Sequence, residues 1–163
     1  MASTIRGGDN WSSQGVMVQA VHSQTGAVAT GTTATPLDDT IPQSGEGTQF
    51  MTLAITPKSA ANKLVIEVVW CGASSSNSYL VVALFQDSTA NALATVCEAN
   101  GGAGNMVAIP LTHEMTAGTT SATTFKVRVG ANDGGTITFN GWGSNRMFGG
   151  VAASSIRITE ISV

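Results

Sequence analysis

The chain has 163 residues, of which only 10% are charged and 42% hydrophobic; an ordinary domain carries about 25% charged residues. Nineteen glycines, with abundant Ser and Thr, stand where Lys, Glu and Arg are missing. That excludes a helical bundle for want of charged helix formers, and the supply of Val, Ile, Leu and Phe excludes a disordered chain. The net charge is −3 and the 7 basic residues are scattered, so no basic field exists to hold nucleic acid.

Residues 1–15 (MASTIRGGDNWSSQG) are polar and glycine-rich. They carry no apolar stretch of signal-peptide type and are read as an attachment arm, with a single folded domain expected over 16–163. No run approaches the roughly 18 apolar residues of a membrane span, so no membrane insertion is expected. After a first strand at 16–22, residues 23–47 are long, polar and punctuated by proline (TPLDDTIPQSGEG), which predicts an extended loop laid over the surface with one short strand. Asp38, Asp39 and Glu46 form the one acidic concentration. Such oxygens can ligate Ca²⁺, but the DxDxDG spacing is absent and acidic residues beside Pro36 and Pro42 are ordinary turn formers. No metal is assigned.

Period-two alternation then takes over. Residues 49–56 set Met51, Leu53 and Ile55 against Thr52 and Ala54; residues 123–129 set Phe125, Val127 and Val129 against Lys126 and Arg128; residues 135–140 set Ile137 and Phe139 against Thr136 and Thr138. Each reads as a strand with one wet face. Residues 63–71 (KLVIEVVWC) and 79–86 (YLVVALFQ) are apolar on both faces. Leu64, Ile66, Val68 and Trp70 fill a sandwich core, while Val65, Val69, Val81 and Phe85 make a second apolar face that needs a cover. Another subunit is the expected cover, with a loop as the alternative. Cys71 and Cys97 lack a CxxC spacing and are read as small hydrophobes, a bridge between them being left open.

Turn-forming segments at 72–78, 87–91, 100–105, 116–122 and 132–135 separate the apolar runs at the spacing of a β-sandwich. In 155–163 the apolar positions change phase between Ile158 and Ile161, which predicts a bulge near Thr159. With roughly eight to ten strands and no helix, the expected fold is all-β, an antiparallel β-sandwich of jelly-roll type.

Chemistry is sparse. Thr112-His113-Glu114 puts an imidazole beside a carboxylate, but neighbours on a strand face opposite sides. His22 reads as a strand-end residue. No GxSxG elbow is present, and GGAGN lacks the Lys-Ser/Thr of a phosphate loop. No catalytic residue and no cofactor are therefore assigned, and the chain is read as a non-enzyme. Trp142 in NGWGSNR, with Asn145 nearby, is the candidate ligand-facing pair, since a flat ring flanked by amides can hold a sugar. The alternative is a ring packed over the end of the sandwich.

The segments VHSQTGAVATGTTATPLDDTIPQSGEGTQFMTLAITPKSAANKLVIEV, VALFQDSTANALA, THEMTAGTTSATTFKVRVG and FGGVAASSIRITEIS resemble a widespread family of bacteriophage and prophage virion proteins, which occur alone or as the C-terminal module of longer fibre proteins. The likeness runs from Val18 onward; Trp70, Cys71, Cys97 and Trp142 stand outside its pattern. The strand order and the closing segment also look like the trimeric jelly rolls of the complement C1q and tumour-necrosis-factor type. The resemblance implies a homotrimeric fibre or spike appendage, made in the host cytoplasm and displayed on the virion. Its arm would hold other virion proteins and its far loops a glycan or protein of the host surface. A capsid decoration protein is the second reading, and a lectin-like glycan-binding module the third.

Overall fold

Alternation along the sequence becomes two antiparallel sheets. The computed structural model describes residues 15–163, so the expected arm lies outside it apart from Gly15. In chain order the strands are β1 (Met17–Thr25), β2 (Ala29–Gly31), β3 (Thr48–Ile55), β4 (Lys63–Ser74), β5 (Tyr79–Gln86), β6 (Ala94–Ala99), β7 (Val107–Thr116), β8 (Thr123–Ala131), β9 (Ile137–Phe139), β10 (Gly141–Trp142), β11 (Asn145–Arg146) and β12 (Ser154–Ile161). A 3-10 turn, Phe148–Gly150, precedes β12. One sheet runs β1-β12-β4-β7 and the other β3-β8-β5-β6. This interleaving of early and late strands is the double Greek key of an eight-stranded jelly roll, the fold class the periodicity predicts. Short β9 prolongs the first sheet by pairing with Gly72–Ser74 beyond the end of β12, and β2 pairs with β9.

Between the sheets alternate residues interdigitate. Leu64, Ile66, Val68 and Trp70 of β4 meet Leu80, Val82 and Leu84 of β5, with Phe125, Val127 and Val129 of β8 and Ile156 and Ile158 of β12, all buried.

The second apolar face divides in two. On β5, Val81 and Phe85 are 4% and 1% exposed, because residues 32–47 cross outside the β3-β8-β5-β6 sheet. Arg128 pins this segment by donating from Nε to the Glu46 carbonyl (2.9 Å) and from Nη2 to that of Gly47 (2.8 Å). Thr35 N–H donates to the Ala131 carbonyl (3.3 Å), and Pro36, Leu37 and Pro42 stand around Val81 and Cys97. The cover expected from a subunit is thus supplied here by the chain's own loop, and Val81 and Phe85 are withdrawn from the expected interface. Val65 and Val69, on the outer face of β4, keep partial or full exposure, Val69 at 43%.

The loop lies directly on the β8 backbone. A Cβ at Gly130 would fall 2.5 Å from Thr35 Oγ1 and 2.7 Å from the Thr33 carbonyl oxygen. Gly130→Ala is expected to lift the segment and cost about 1–3 kcal/mol. Faster hydrogen exchange confined to 33–47 and its β8 contacts checks this, and unchanged exchange there refutes it.

Two further expectations are corrected. No bulge lies near Thr159, since β12 pairs β4 in unbroken register from Ser155–Val69 to Ile161–Lys63; the irregularity is in β1, between Met17 and Gln19. The phase change has another cause, which is that Glu160 takes the inward position and is fully buried. Its carboxylate accepts from Gln19 Nε2 (2.6 Å), Asn62 Nδ2 (2.6 Å), Lys58 N (2.8 Å) and Ser59 N (3.2 Å). Burial alone would push this carboxyl up, but those bonds outweigh it and hold it below the ordinary glutamate value. The cysteines are both free thiols. By strand parity they lie on the outer faces of opposite sheets, about 10 Å apart or more across the sandwich, too far for a bridge. Cys97 is exposed rather than packed; Cys71 is half-buried, and its burial raises the thiol pKa.

Candidate functional site

Register fixes the two poles of the sandwich. β1 begins at Met17 beside Ile161 and ends at Thr25 beside Ser154. Val16 therefore enters at one pole, where its carbonyl accepts from Ser162 N (2.9 Å). The loops 26–28, 75–78, 100–106, 132–136 and 140–153 gather at the other. They are tied together there, Ser75 N–H donating to the Thr136 carbonyl (2.9 Å) and Gly104 N–H to that of Ser74 (2.7 Å).

Trp142 belongs to this loop pole. It opens the β10–β11 hairpin, whose two-residue turn has positive φ at both Gly143 (54°) and Ser144 (64°). That is the I′ geometry favoured by the twist of a tight hairpin. The indole edge rests on the 100–106 loop, for a Cβ at Gly104 would fall 1.9 Å from Trp142 Nε1. The ring is held from one side and remains 52% exposed. It borders a cleft of about 470 Å³ together with Ser75, Gly104, Thr136, Thr138 and Ser144. Ser75 Oγ accepts from Thr136 N (2.9 Å) and Thr138 Oγ1 from Ser144 N (3.1 Å). Both hydroxyls keep their hydrogens for donation.

Asn145 does not line the cleft. Its Nδ2 donates to the Gly143 carbonyl (2.8 Å), so it braces the turn that carries Trp142.

Sequence reasoning missed the residue that anchors this hairpin. Asn140 is fully buried, at φ 54°, one residue before β10. Its Nδ2 donates to the carbonyls of Thr25 (2.8 Å) and Ala27 (3.0 Å) and its Oδ1 accepts from Ser154 Oγ (2.7 Å). Its backbone N–H donates to the Cys71 carbonyl (2.8 Å), while Cys71 N–H donates to Ser154 Oγ (2.8 Å). The side chain thus joins the end of β1 to the start of β12, and the backbone N–H ties the residue after β9 to β4. The Asn-Gly pair after an apolar strand was the available signal, since Asn tolerates positive φ. Also missed were Phe148 and Val151, which project 72% and 84% exposed from the turn beside the hairpin.

The other candidates do not converge. Glu114 forms an ion pair with Lys63 on the outer face of β7, whereas His113 has the opposite parity and is half-buried. His22 pairs across β1–β12 with Arg157. Asp38 and Asp39 line a second cleft of about 380 Å³ with Ile41, Pro42 and Leu93. Asp38 nevertheless closes its own turn, accepting from Thr40 Oγ1 (2.6 Å) and Thr40 N (2.9 Å), bonds that lower its pKa. Glu46 accepts from Gln43 N (3.0 Å). Among the described residues no group of three or more His, Cys, Asp or Glu stands together as a metal site.

No family model matches the chain, and no curated protein does. Solved structures similar to it include the C-terminal domain of EclA, a sugar-binding protein, at 15% identity and TM-score 0.42, over 69% of this chain and 73% of that one. Another is the infectious bursal disease virus Gx strain, at 13% identity and TM-score 0.41, over 90% of this chain and 33% of that one. A third is the enzymatically active domain of bacteriophage CBA120 tailspike protein 4, at 17% identity and TM-score 0.31, over 76% of this chain and 19% of that one. Sugar-binding and viral proteins thus both occur among its neighbours, at identities and scores that carry no functional weight.

Proposed function

We propose that the protein is a non-catalytic jelly-roll module of a bacteriophage particle, an appendage of fibre or spike type whose loop pole meets the host surface. The observation that carries this reading is the separation of its ends. The chain enters the sandwich at Val16, while Trp142, Phe148 and Val151 stand exposed at the opposite pole. A module tethered through its leading segment therefore presents that cluster outward. The phage setting is supported by the family-like segments from Val18 onward. Self-association is proposed through the outer face of the β1-β12-β4-β7 sheet, where Val69 lies beside Pro110 and Val65 lies between Thr159 and Glu114. Three copies are expected, and light scattering then gives a native mass near three times 16.5 kDa; the mass of one chain overturns the trimer.

Purified protein added to host cells ahead of the phage is expected to block adsorption, and Trp142→Ala to lose most of that block. Gold-labelled antibody is expected to decorate the tail of intact particles. Label on the head favours the decoration reading, and unlabelled particles with retained saccharide binding favour the free lectin. Either result overturns the appendage.

A further inference from the structure

We infer that the Trp142 cleft takes an uncharged saccharide, whose apolar C–H face lies on the indole while its hydroxyls exchange hydrogen bonds with Ser75, Thr136, Thr138 and Ser144. The inference rests on the loop pole being the recognition end, and it adds the chemical class of the ligand. Four features of the cleft argue for it together.

The ring comes first. An indole face half in water at the head of a type I′ turn, with its edge fixed against Gly104, is a rigid platform. Ordering such a ring at binding costs little, because turn and loop have already ordered it. The second feature is the polar wall. The oxygens of Ser75 and Thr138 are held by the N–H groups of Thr136 and Ser144, which leaves each hydroxyl hydrogen free to turn toward a ligand. A few placed polar groups beside one apolar surface, in a cleft of about 470 Å³, match the general make-up of small-ligand sites.

The third feature is charge. No Lys, Arg, His, Asp or Glu is among the residues lining the cleft. The nearest basic residue along the hairpin, Arg146, lies along the 3-10 turn instead; a Cβ at Gly150 would be 3.1 Å from its Cδ and 3.4 Å from its Nη1. The fourth is Asp133, whose Oδ1 accepts from Gly135 N (3.0 Å) and Ser76 Oγ (3.0 Å), each next in sequence to a lining residue. Those two bonds, the Gly135 one foremost, hold its carboxyl below the ordinary range, so it is negative at neutral pH. A carboxylated sugar would find no cation in the cleft and an anion beside it, and like charges disfavour such a partner.

The test uses ¹⁵N-labelled full-length protein and follows the Trp142 indole N–H signal, identified by its loss in Trp142→Phe. Lactose and cellotriose serve as uncharged probes, with 3′-sialyllactose and trigalacturonate as acidic ones. The uncharged probes are expected to shift the Trp142 signal with a Kd on the order of 1 mM, and the acidic ones to bind about tenfold more weakly. Thr136→Lys, which leaves the ring untouched, is expected to raise sialyllactose affinity severalfold. Equal or tighter binding of the acidic probes at Trp142 overturns the inference and leaves the loop pole as the recognition end. No Trp142 shift with either uncharged probe at roughly 50 mM also overturns it. If instead Trp142→Ala protein still blocks adsorption, the recognition pole falls while the saccharide result stands on its own.

Discussion

Glu160→Ala is expected to destabilise the protein by about 3 kcal/mol, since removing a buried carboxylate strands the neutral donors bonded to it. In a domain of this length that corresponds to a fall of roughly 6–12 °C in Tm. The carboxylate is fully buried at the inward end of β12 and serves four donors. Two of these, Lys58 N and Ser59 N, open the 56–62 turn between β3 and β4; Asn62 Nδ2 closes it, and Gln19 Nε2 reaches over from β1. Truncation leaves Lys58 N, Ser59 N and Asn62 Nδ2 without that acceptor at the pole where the chain enters, while Gln19 Nε2 keeps the Thr56 carbonyl (2.8 Å). Glu160→Gln keeps the volume but turns an –NH₂ toward groups that are themselves donors, so it recovers only part of the loss.

The same residue sets a pH dependence. Its folded pKa is held below its unfolded value, because the four bonds outweigh the opposing effect of burial. A carboxyl of this kind contributes stability that is fully present above its unfolded pKa and disappears as pH falls through the folded one. Thermal melts from pH 7 down to pH 2 are therefore expected to show an acid loss that Glu160→Gln flattens. If burial dominates instead, the wild-type protein gains stability relative to Glu160→Gln on acidification, and the sign is refuted.

Glu160 also shows where alternation stops being informative. Period-two patterning places Leu64, Ile66, Val68 and Trp70 inward correctly because a core selects apolar side chains at those positions. The same logic misplaced a bulge at Thr159, because it treats an inward Glu as an error in phase. Only donors far along the chain, Gln19 and those of 56–62, make that Glu acceptable inside. The apolar outer face of β5 was legible as a surface needing cover, but pattern cannot say whether the cover is a loop or another chain. The decisive residues are Arg128, which reads as a wet-face cation yet pins Glu46 and Gly47, and Gly130, whose missing side chain admits Thr35. At the candidate site Trp142 was legible from its glycine flanks. Of its neighbours, Ser75 comes from a distant loop and carried no signal of its own, while Thr136 and Thr138 were legible only as the wet face of the strand that became β9. Asn145, adjacent in sequence, proved to serve the turn.

Asn140 is the second residue whose removal is expected to cost most, at about 3–4 kcal/mol for Asn140→Ala. Loss of the amide leaves the carbonyls of Thr25 and Ala27 and the hydroxyl of Ser154 without their buried partner. An alanine at φ 54° adds left-handed strain of about 1 kcal/mol. Asn140→Gly separates the two contributions, since glycine accepts that φ freely while still lacking the amide, and it is expected to be the milder variant by about that 1 kcal/mol. Asn140→Asp keeps shape and φ tolerance but sets a carboxylate against two carbonyl oxygens, so it should be no better than Ala. Denaturant unfolding ranks the three variants. The hairpin that follows Asn140 carries Trp142, so hydrogen exchange in β10 and β11 should accelerate in all three variants while exchange around Glu160, at the opposite pole, keeps pace only with global stability. Equal stability of Asn140→Gly and the parent protein would show that the residue is there for its φ alone, and would detach the buried amide from the positioning of Trp142.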